Sequence, residues 1–254
     1  MTTNRISLFI ITKNEAEHLA KCILSAKTLV HEVIVVDSDS TDRTTAIARD
    51  LGAIVYNHKF ESFTRQKNFA LSKVTSGWAL SLDADETLTP ELAEEIKQAV
   101  ACGKADGYEL PRVNDFLGKR MRHSGIKKEY ILRLVRTQKA AFKGGLVHEE
   151  LCVNGSTARL KNVFTHHPYK NLETYFEKFN KYTTLAAEQM FQKGRRVCWA
   201  RVLLTVPFEF TRRYIFQAGF LDGARGFIWA TFAGFYVFAK YAKLWYLWER
   251  KKWE

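Results

Sequence analysis

Through the first hundred positions, short apolar runs alternate with amphipathic stretches. Residues 6–11 (ISLFII), 33–36 (VIVV) and 78–82 (WALSL) carry almost no polar alternation, the mark of strands covered on both faces. Residues 53–56 form a shorter run of the same kind. Between the runs the period lengthens. Asn14 stands as a helix cap ahead of Ala16, Leu19, Ala20, Ile23 and Leu24, which share one helical face. Ser40-Thr41-Asp42 opens a second helix that Gly52 stops, residues 62–74 read as a third, and Pro90 starts a fourth over 91–101. Strands alternating with helices predict βαβ units and a mostly parallel sheet, an α/β architecture of the nucleotide-binding type.

After residue 107 the pattern changes to short β-like pieces at 107–111, 130–135, 146–153 and 159–163. A long amphipathic helix over 172–193 follows, and then a tail rich in aromatic and basic residues. No internal repeat or low-complexity segment interrupts the chain. The simplest partition is a catalytic domain over 1–170 and a helical, membrane-associated region over 171–254.

Composition narrows the partner. The 254 residues carry a formal charge of +12, so an anionic partner is expected: nucleic acid, a phosphorylated substrate or an acidic membrane. Residues 195–254 hold eleven Lys/Arg against four acids, together with half of the 34 aromatic side chains. That mixture suits a membrane interface, and no nucleic-acid module is recognisable, which sets nucleic acid aside. The longest uncharged run of the tail, residues 226–239, is shorter than the roughly 20 residues a spanning helix needs. The N-terminal stretch does not read as a signal peptide. A peripheral location on the cytoplasmic side of a bacterial inner membrane is therefore expected, with the tail as an interfacial helix pair or a re-entrant hairpin. Aromatics at helical spacing (Phe220, Phe227, Phe235, Phe238, Trp245) also suit a packed core. Cys22, Cys102, Cys152 and Cys198 are far apart and read as free thiols.

Acids gather where three of the strands end: Asn14-Glu15 after the first, Asp37-Ser38-Asp39 after the second, Asp83-Ala84-Asp85-Glu86 after the fourth. Ligands of doubly wound sheets bind at such carboxyl ends. Asp83 and Asp85, two residues apart, either point to one side and hold a hard cation through oxygen, or form a turn and a helix start.

The motifs FIITKNE (9–15), VIVVDSDSTDRT (33–44), RQKNFA (65–70) and SLDADE (81–86), in this order and spacing, resemble the family 2 glycosyltransferases. The resemblance implies a GT-A fold, a Rossmann-like nucleotide-sugar domain. It implies that Asp37 contacts uracil, that Asp83 lies near the ribose and that Asp85 ligates a divalent cation, Mg²⁺ or Mn²⁺, on the diphosphate. Thr12, Asn14 and Glu15 would line the nucleotide pocket, and Arg65 and Asn68 would reach the diphosphate or the sugar. The family's common D-D-G-S-x-D pattern reads Asp37-Ser38-Asp39-Ser40-Thr41-Asp42 here, so Ser38 and Asp39 depart from it.

The stretch FKGGLVHEEL (142–151) and the tail pieces GFLDGARGF (219–227) and KYAKLW (240–245) resemble bacterial lipopolysaccharide inner-core glucosyltransferases. This implies an inverting, metal-dependent transfer of glucose from UDP-glucose to a heptose of the lipid A-linked core. Such a transfer needs a base for the acceptor hydroxyl. Glu149 is the first choice and Glu150 the second, since neighbours on a strand point to opposite faces. Asp39 and Glu86 are outside candidates. His148 either completes the metal shell with Asp83 and Asp85 or bonds the diphosphate. His166 and His167, adjacent on an extended chain, point apart and read as loop residues. A polyprenyl-phosphate sugar synthase would share every nucleotide-binding residue. A basic nucleic-acid-binding protein is the non-enzyme alternative.

Overall fold

The computed structural model describes residues 4–126, 128–144, 149–169 and 171–253. The chain forms two compact units, one of Met1–Val113 with Lys128–His166, the other of Asn114–Lys127 with His167–Glu254.

In the first unit, β1 (Ile6–Thr12), β2 (Glu32–Asp37), β3 (Ile54–Asn57) and β4 (Trp78–Ser81) lie parallel in the order β3-β2-β1-β4. Between them run α1 (Leu19–Ala26), α2 (Thr44–Asp50) and α3 (Phe63–Ser72). The apolar runs behave as their composition demands: Leu8, Ile10, Ile34, Val35, Val36 and Leu80 are fully buried, with side chains inserted into both faces of the sheet.

Past β4 the sheet becomes mixed. β5 (Glu86–Leu88) and α4 (Pro90–Cys102) lead into β6 (Gly107–Phe116) and, after the short β7 (Lys119–Arg120), β8 (Glu129–Arg136). β8 pairs antiparallel with both β4 and β6. β9 (Ala140–Gly144) and β10 (Glu149–Val153) form a separate antiparallel pair. β11 (Thr157–Arg159) adds parallel to β6, and β12 (Phe164–His166) pairs antiparallel with β5, His166 opposite Glu86. The expected strand over 159–163 is thus replaced by two three-residue strands on either side of it. A second difference lies before α1. Asn14 does not cap it, because the residue sits in the left-handed region (φ 56°) and its Oδ1 accepts the Thr41 N–H at 2.8 Å. The helix begins only at Leu19.

The second unit joins residues 114–127 to the C-terminal helices α5 (Leu172–Gln192), α6 (Trp199–Thr211) and α7 (Ala224–Trp253). Asp222 explains why the 114–127 segment belongs here: its carboxylate accepts the backbone N–H groups of Arg122 and His123 at 3.2 and 3.0 Å. Phe116, Met121, Tyr175 and Phe179 form the core, with Trp229, Phe232 and Tyr236 of α7 against them. α7 turns its small residues Gly226, Ala230 and Gly234 inward, and a Cβ at Gly234 would meet the Val206 carbonyl of α6 at 3.1 Å. Phe220, Phe227, Phe235, Phe238 and Trp245 are exposed, although the Phe235 ring stacks on Phe179 of this core. Among the described residues, no helix is long and apolar enough to cross a membrane.

Candidate active site

Two neighbouring cavities of the first unit are both lined by Lys67, Asp83 and Glu149. One, of about 480 Å³, lies over the carboxyl ends of β1, β2 and β4, where a doubly wound sheet binds its ligands. Thr12, Lys13, Glu15, Ser38, Asp85 and His166 line it, with Phe60 and Phe63 as an apolar wall. Thr12 Oγ1 is buried there with no hydrogen-bond partner among the described residues. The other, of about 540 Å³, is lined by Glu109, Arg112, Tyr130, Arg133, Phe142 and the β10 residues Glu149–Val153.

The loops that shape the first cavity are held by their own polar groups. Asp37 is buried, and its two carboxylate oxygens accept from the Ser40 N–H and the Ser40 hydroxyl. The Asn14 N–H donates to Ser40 Oγ at 2.8 Å, which ties the loop after β1 to the loop after β2. Asp39 has a left-handed backbone (φ 57°) and accepts from Asn57 Nδ2 at 3.1 Å. Of this motif it is Ser38 that faces the cavity. Its hydroxyl accepts from Gln66 Nε2 at 2.8 Å, and Gln66 also donates to the His58 carbonyl.

Helix α3 turns Gln66, Lys67, Ala70 and Leu71 inward. Ser62 caps it, accepting the Arg65 N–H. Arg65 faces the other way, 72% exposed and paired with Glu61. Asn68 is spent on structure: it donates to the Phe142 carbonyl at 2.9 Å and accepts the Phe142 N–H at 2.8 Å, which clamps β9 to the helix. The cation that α3 brings to the cavity is therefore Lys67, whose Nζ lies 3.2 Å from Asp83 Oδ1 and 3.1 Å from Glu149 Oε1.

Asp83 is held by two cations. Arg133 donates to its Oδ2 at 2.9 Å, and the same guanidinium nitrogen reaches Glu86 Oε1 at 2.5 Å. Burial pushes the Asp83 carboxyl up, but Arg133 and Lys67 outweigh it and hold the group well below the usual carboxylate range. Burial raises Glu86, and the neighbouring Asp83 raises it further against the pull of Arg133. Glu86 is fully buried and accepts the Asp83 N–H, so it supports the site from beneath instead of facing a substrate.

Asp85 departs from its neighbour. Its Oδ2 lies 3.2 Å from His166 Nε2, and both side chains line the cavity. His167 turns away to Asp115 at 2.8 Å, so the two histidines point apart as expected, yet His166 belongs to the site and not to a plain loop. Carboxylate oxygen and imidazole nitrogen are a donor set that Mg²⁺ or Mn²⁺ accepts. Among the described residues no group of three or more His, Cys, Asp or Glu gathers to hold a metal. His148, expected in that shell, lies outside the described residues. Glu150, the alternative base, follows Glu149 on β10, opposite Lys143 of β9, and is more exposed than Glu149.

The acid-rich cavity thus lies over the parallel strand ends, where α/β sheets bind their ligands. A family model described as glycosyl transferase family 2 matches residues 7–153, and the chain belongs to that family. It is 31% identical to an uncharacterized glycosyltransferase of Rickettsia felis, over 94% of this chain and 89% of the relative. It is 30% identical to a lipopolysaccharide core biosynthesis glycosyltransferase of Rhizobium meliloti, over 94% of this chain and 91% of the relative. A solved structure of Staphylococcus aureus TarS in complex with UDP-GlcNAc aligns over 95% of this chain and 89% of its own, at 15% identity and a TM-score of 0.48. The protein is an enzyme, a glycosyltransferase of family 2.

Proposed function

We propose that the enzyme moves glucose from UDP-glucose, with inversion, to a heptose of the lipopolysaccharide inner core, at the cytoplasmic face of the inner membrane. The observation that carries this reading is the place of Glu149. It stands in the lining of both cavities, so one carboxylate faces the donor on one side and the acceptor on the other. The part of the Rhizobium meliloti relative in lipopolysaccharide core biosynthesis supports the acceptor class. The glucose unit itself rests on the resemblance of the 142–151 stretch and the tail pieces.

In this reading UDP-glucose occupies the cavity over β1, β2 and β4, with Thr12 Oγ1 and Ser38 as polar contacts and Phe60 and Phe63 against its apolar face. Asp37, Asn14 and Asp39 shape the loops around the nucleotide through their hydrogen bonds to Ser40, Thr41 and Asn57. The heptose enters the neighbouring cavity, beside Tyr130 and Arg112. Its hydroxyl oxygen attacks C1 of glucose while Glu149 accepts the hydroxyl proton; the bond from C1 to the diphosphate oxygen breaks, and UDP leaves. Lys67 places positive charge where the leaving group's negative charge grows, and Arg133 keeps Asp83 ionised beside it. Asp85 and His166 are the residues that would hold a divalent cation, which when bound supplies further charge against the diphosphate.

The test is turnover of UDP-glucose, UDP-galactose, UDP-N-acetylglucosamine and GDP-mannose with heptose-terminated core lipid, in Mn²⁺ or EDTA. Turnover of UDP-glucose that EDTA abolishes is expected. Turnover of GDP-mannose onto a polyprenyl phosphate would replace the donor and acceptor named here.

A further inference from the structure

One stretch of the second unit exposes several large apolar side chains close together in sequence. On α6, Val202 is buried, while Leu203, Leu204 and Phe208 stand exposed. The chain then runs through a π-helical turn (Arg212–Phe216) and a 3-10 turn (Gly219–Asp222), which expose Ile215, Phe216 and Leu221. Leu204 is 74% exposed, Phe216 75% and Leu221 61%. With Phe220, seven large apolar groups within twenty residues exceed the single exposed residues that any surface carries.

The charge of the same segment is one-sided. Residues 195–227 contain Arg195, Arg196, Arg201, Arg212, Arg213 and Arg225 against only Glu209 and Asp222. Both acids are engaged inside the unit: Glu209 accepts from Arg212 and Arg213, and Asp222 accepts from the backbone of residues 122 and 123. Arg195 and Arg201 are exposed.

We infer that this face, α6 with the 212–222 turns, is the surface by which the protein docks onto an anionic lipid bilayer, its leucines and phenylalanines entering the headgroup boundary and its arginines meeting lipid phosphates. A bilayer offers an apolar phase and negative charge together, and this face presents the complement of each. A nucleic acid would satisfy the arginines and leave Leu204 and Phe216 in water. A second copy of the chain would cover the apolar groups while setting one arginine-rich face against another. The inference deepens the membrane part of the reading above and draws nothing from the transfer chemistry. It centres the contact on α6 and the turns rather than on the uncharged run 226–239, of which Ala230, Gly234, Trp229 and Phe232 pack within the unit while Phe227, Phe235 and Phe238 are exposed.

Co-sedimentation of the full chain with sucrose-loaded vesicles tests this. Binding is expected to phosphatidylcholine vesicles containing phosphatidylglycerol, to weaken with added salt, and to be much poorer to phosphatidylcholine alone. In the double variant Leu204→Asp/Phe216→Asp, partition should fall by at least about tenfold for each side chain withdrawn. Arg201→Glu should lose several-fold on the anionic vesicles only. Leu185→Asp, an exposed leucine of α5 outside the patch, should bind as the wild type does. Far-ultraviolet circular dichroism and UDP-glucose affinity, the same in all variants, separate this result from misfolding and from failure of the donor reading. Equal partition of wild type and the double variant, an equal loss in Leu185→Asp, or no vesicle binding at all overturns the inference. So does a wild-type dimer in sedimentation velocity that the double variant dissociates, since that gives the face to a second copy.

Discussion

The two units depart from the ordinary arrangement of soluble proteins in opposite directions. The first buries polar groups: Gln66, Lys67, Glu86 and Arg133 are nearly or wholly out of water, and Thr12 carries a hydroxyl there with no partner among the described residues. The second exposes apolar ones along α6 and the turns that follow it. Each departure is unfavourable by itself, because a buried charge must be paired and an exposed leucine forgoes its transfer free energy. The first unit recovers its cost internally, through a chain of contacts from Glu149 to Lys67, Asp83, Arg133 and Glu86. The exposed groups of α6 find no such compensation within their own unit. The difference teaches that the polar defect belongs to a preorganised site that works by electrostatics, whereas the apolar defect calls for something outside the chain.

Substitutions in the first unit can break this contrast or sharpen it. Arg133→Met should have the largest effect on stability. It leaves Glu86 buried with its main cation gone, and the free energy of unfolding in urea should fall by about 3–5 kcal/mol. A loss below about 1 kcal/mol would mean that the buried charges are not coupled as the distances indicate. Lys67→Met should lower transfer by roughly 10²–10³-fold. Lys67→Arg should recover part of it, because the cation matters as well as the shape. Asn68→Ala removes both hydrogen bonds to the Phe142 backbone and should cost about 1–3 kcal/mol of stability, with the KM for UDP-glucose nearly unchanged. Arg65→Ala should do least. Its pair with Glu61 is exposed, so thermal unfolding should shift by less than about 0.5 kcal/mol and the KM for the donor should hold. A large rise in KM for Arg65→Ala would return that residue to the donor site.

The parallel half of the sheet was legible because its strands are covered on both faces and leave a continuous apolar signature at residues 6–11 and 33–36. The antiparallel half was legible only as pieces. Nothing local says that β8 lies between β4 and β6, or that residues 164–166 pair with β5, since these registers depend on groups distant in sequence. In α3 the apolar residues say which face of the helix turns inward. Ala70 and Leu71 are the apolar pair of the helix, and the residues four places earlier, Gln66 and Lys67, must share their face. Arg65 and Asn68 rest on the resemblance of the RQKNFA stretch, which carries no information on the direction each side chain takes. His166 had no readable signal, since only the pairing of β12 with β5 brings its ring to Asp85. The tail's affinity for an interface was visible in its composition, but helical spacing of aromatics could not tell the packed Trp229 and Phe232 from the exposed Leu204 and Phe216.

The central claim is that Glu149 takes the proton of the acceptor hydroxyl. Its most direct test is Glu149→Gln, measured for UDP-glucose affinity by calorimetry and for turnover onto heptose-terminated core lipid beside the wild type. The expected result is an unchanged Kd with turnover lower by about 10²–10⁴-fold, the usual loss when a general base is removed. Turnover within a few-fold of the wild type would contradict it.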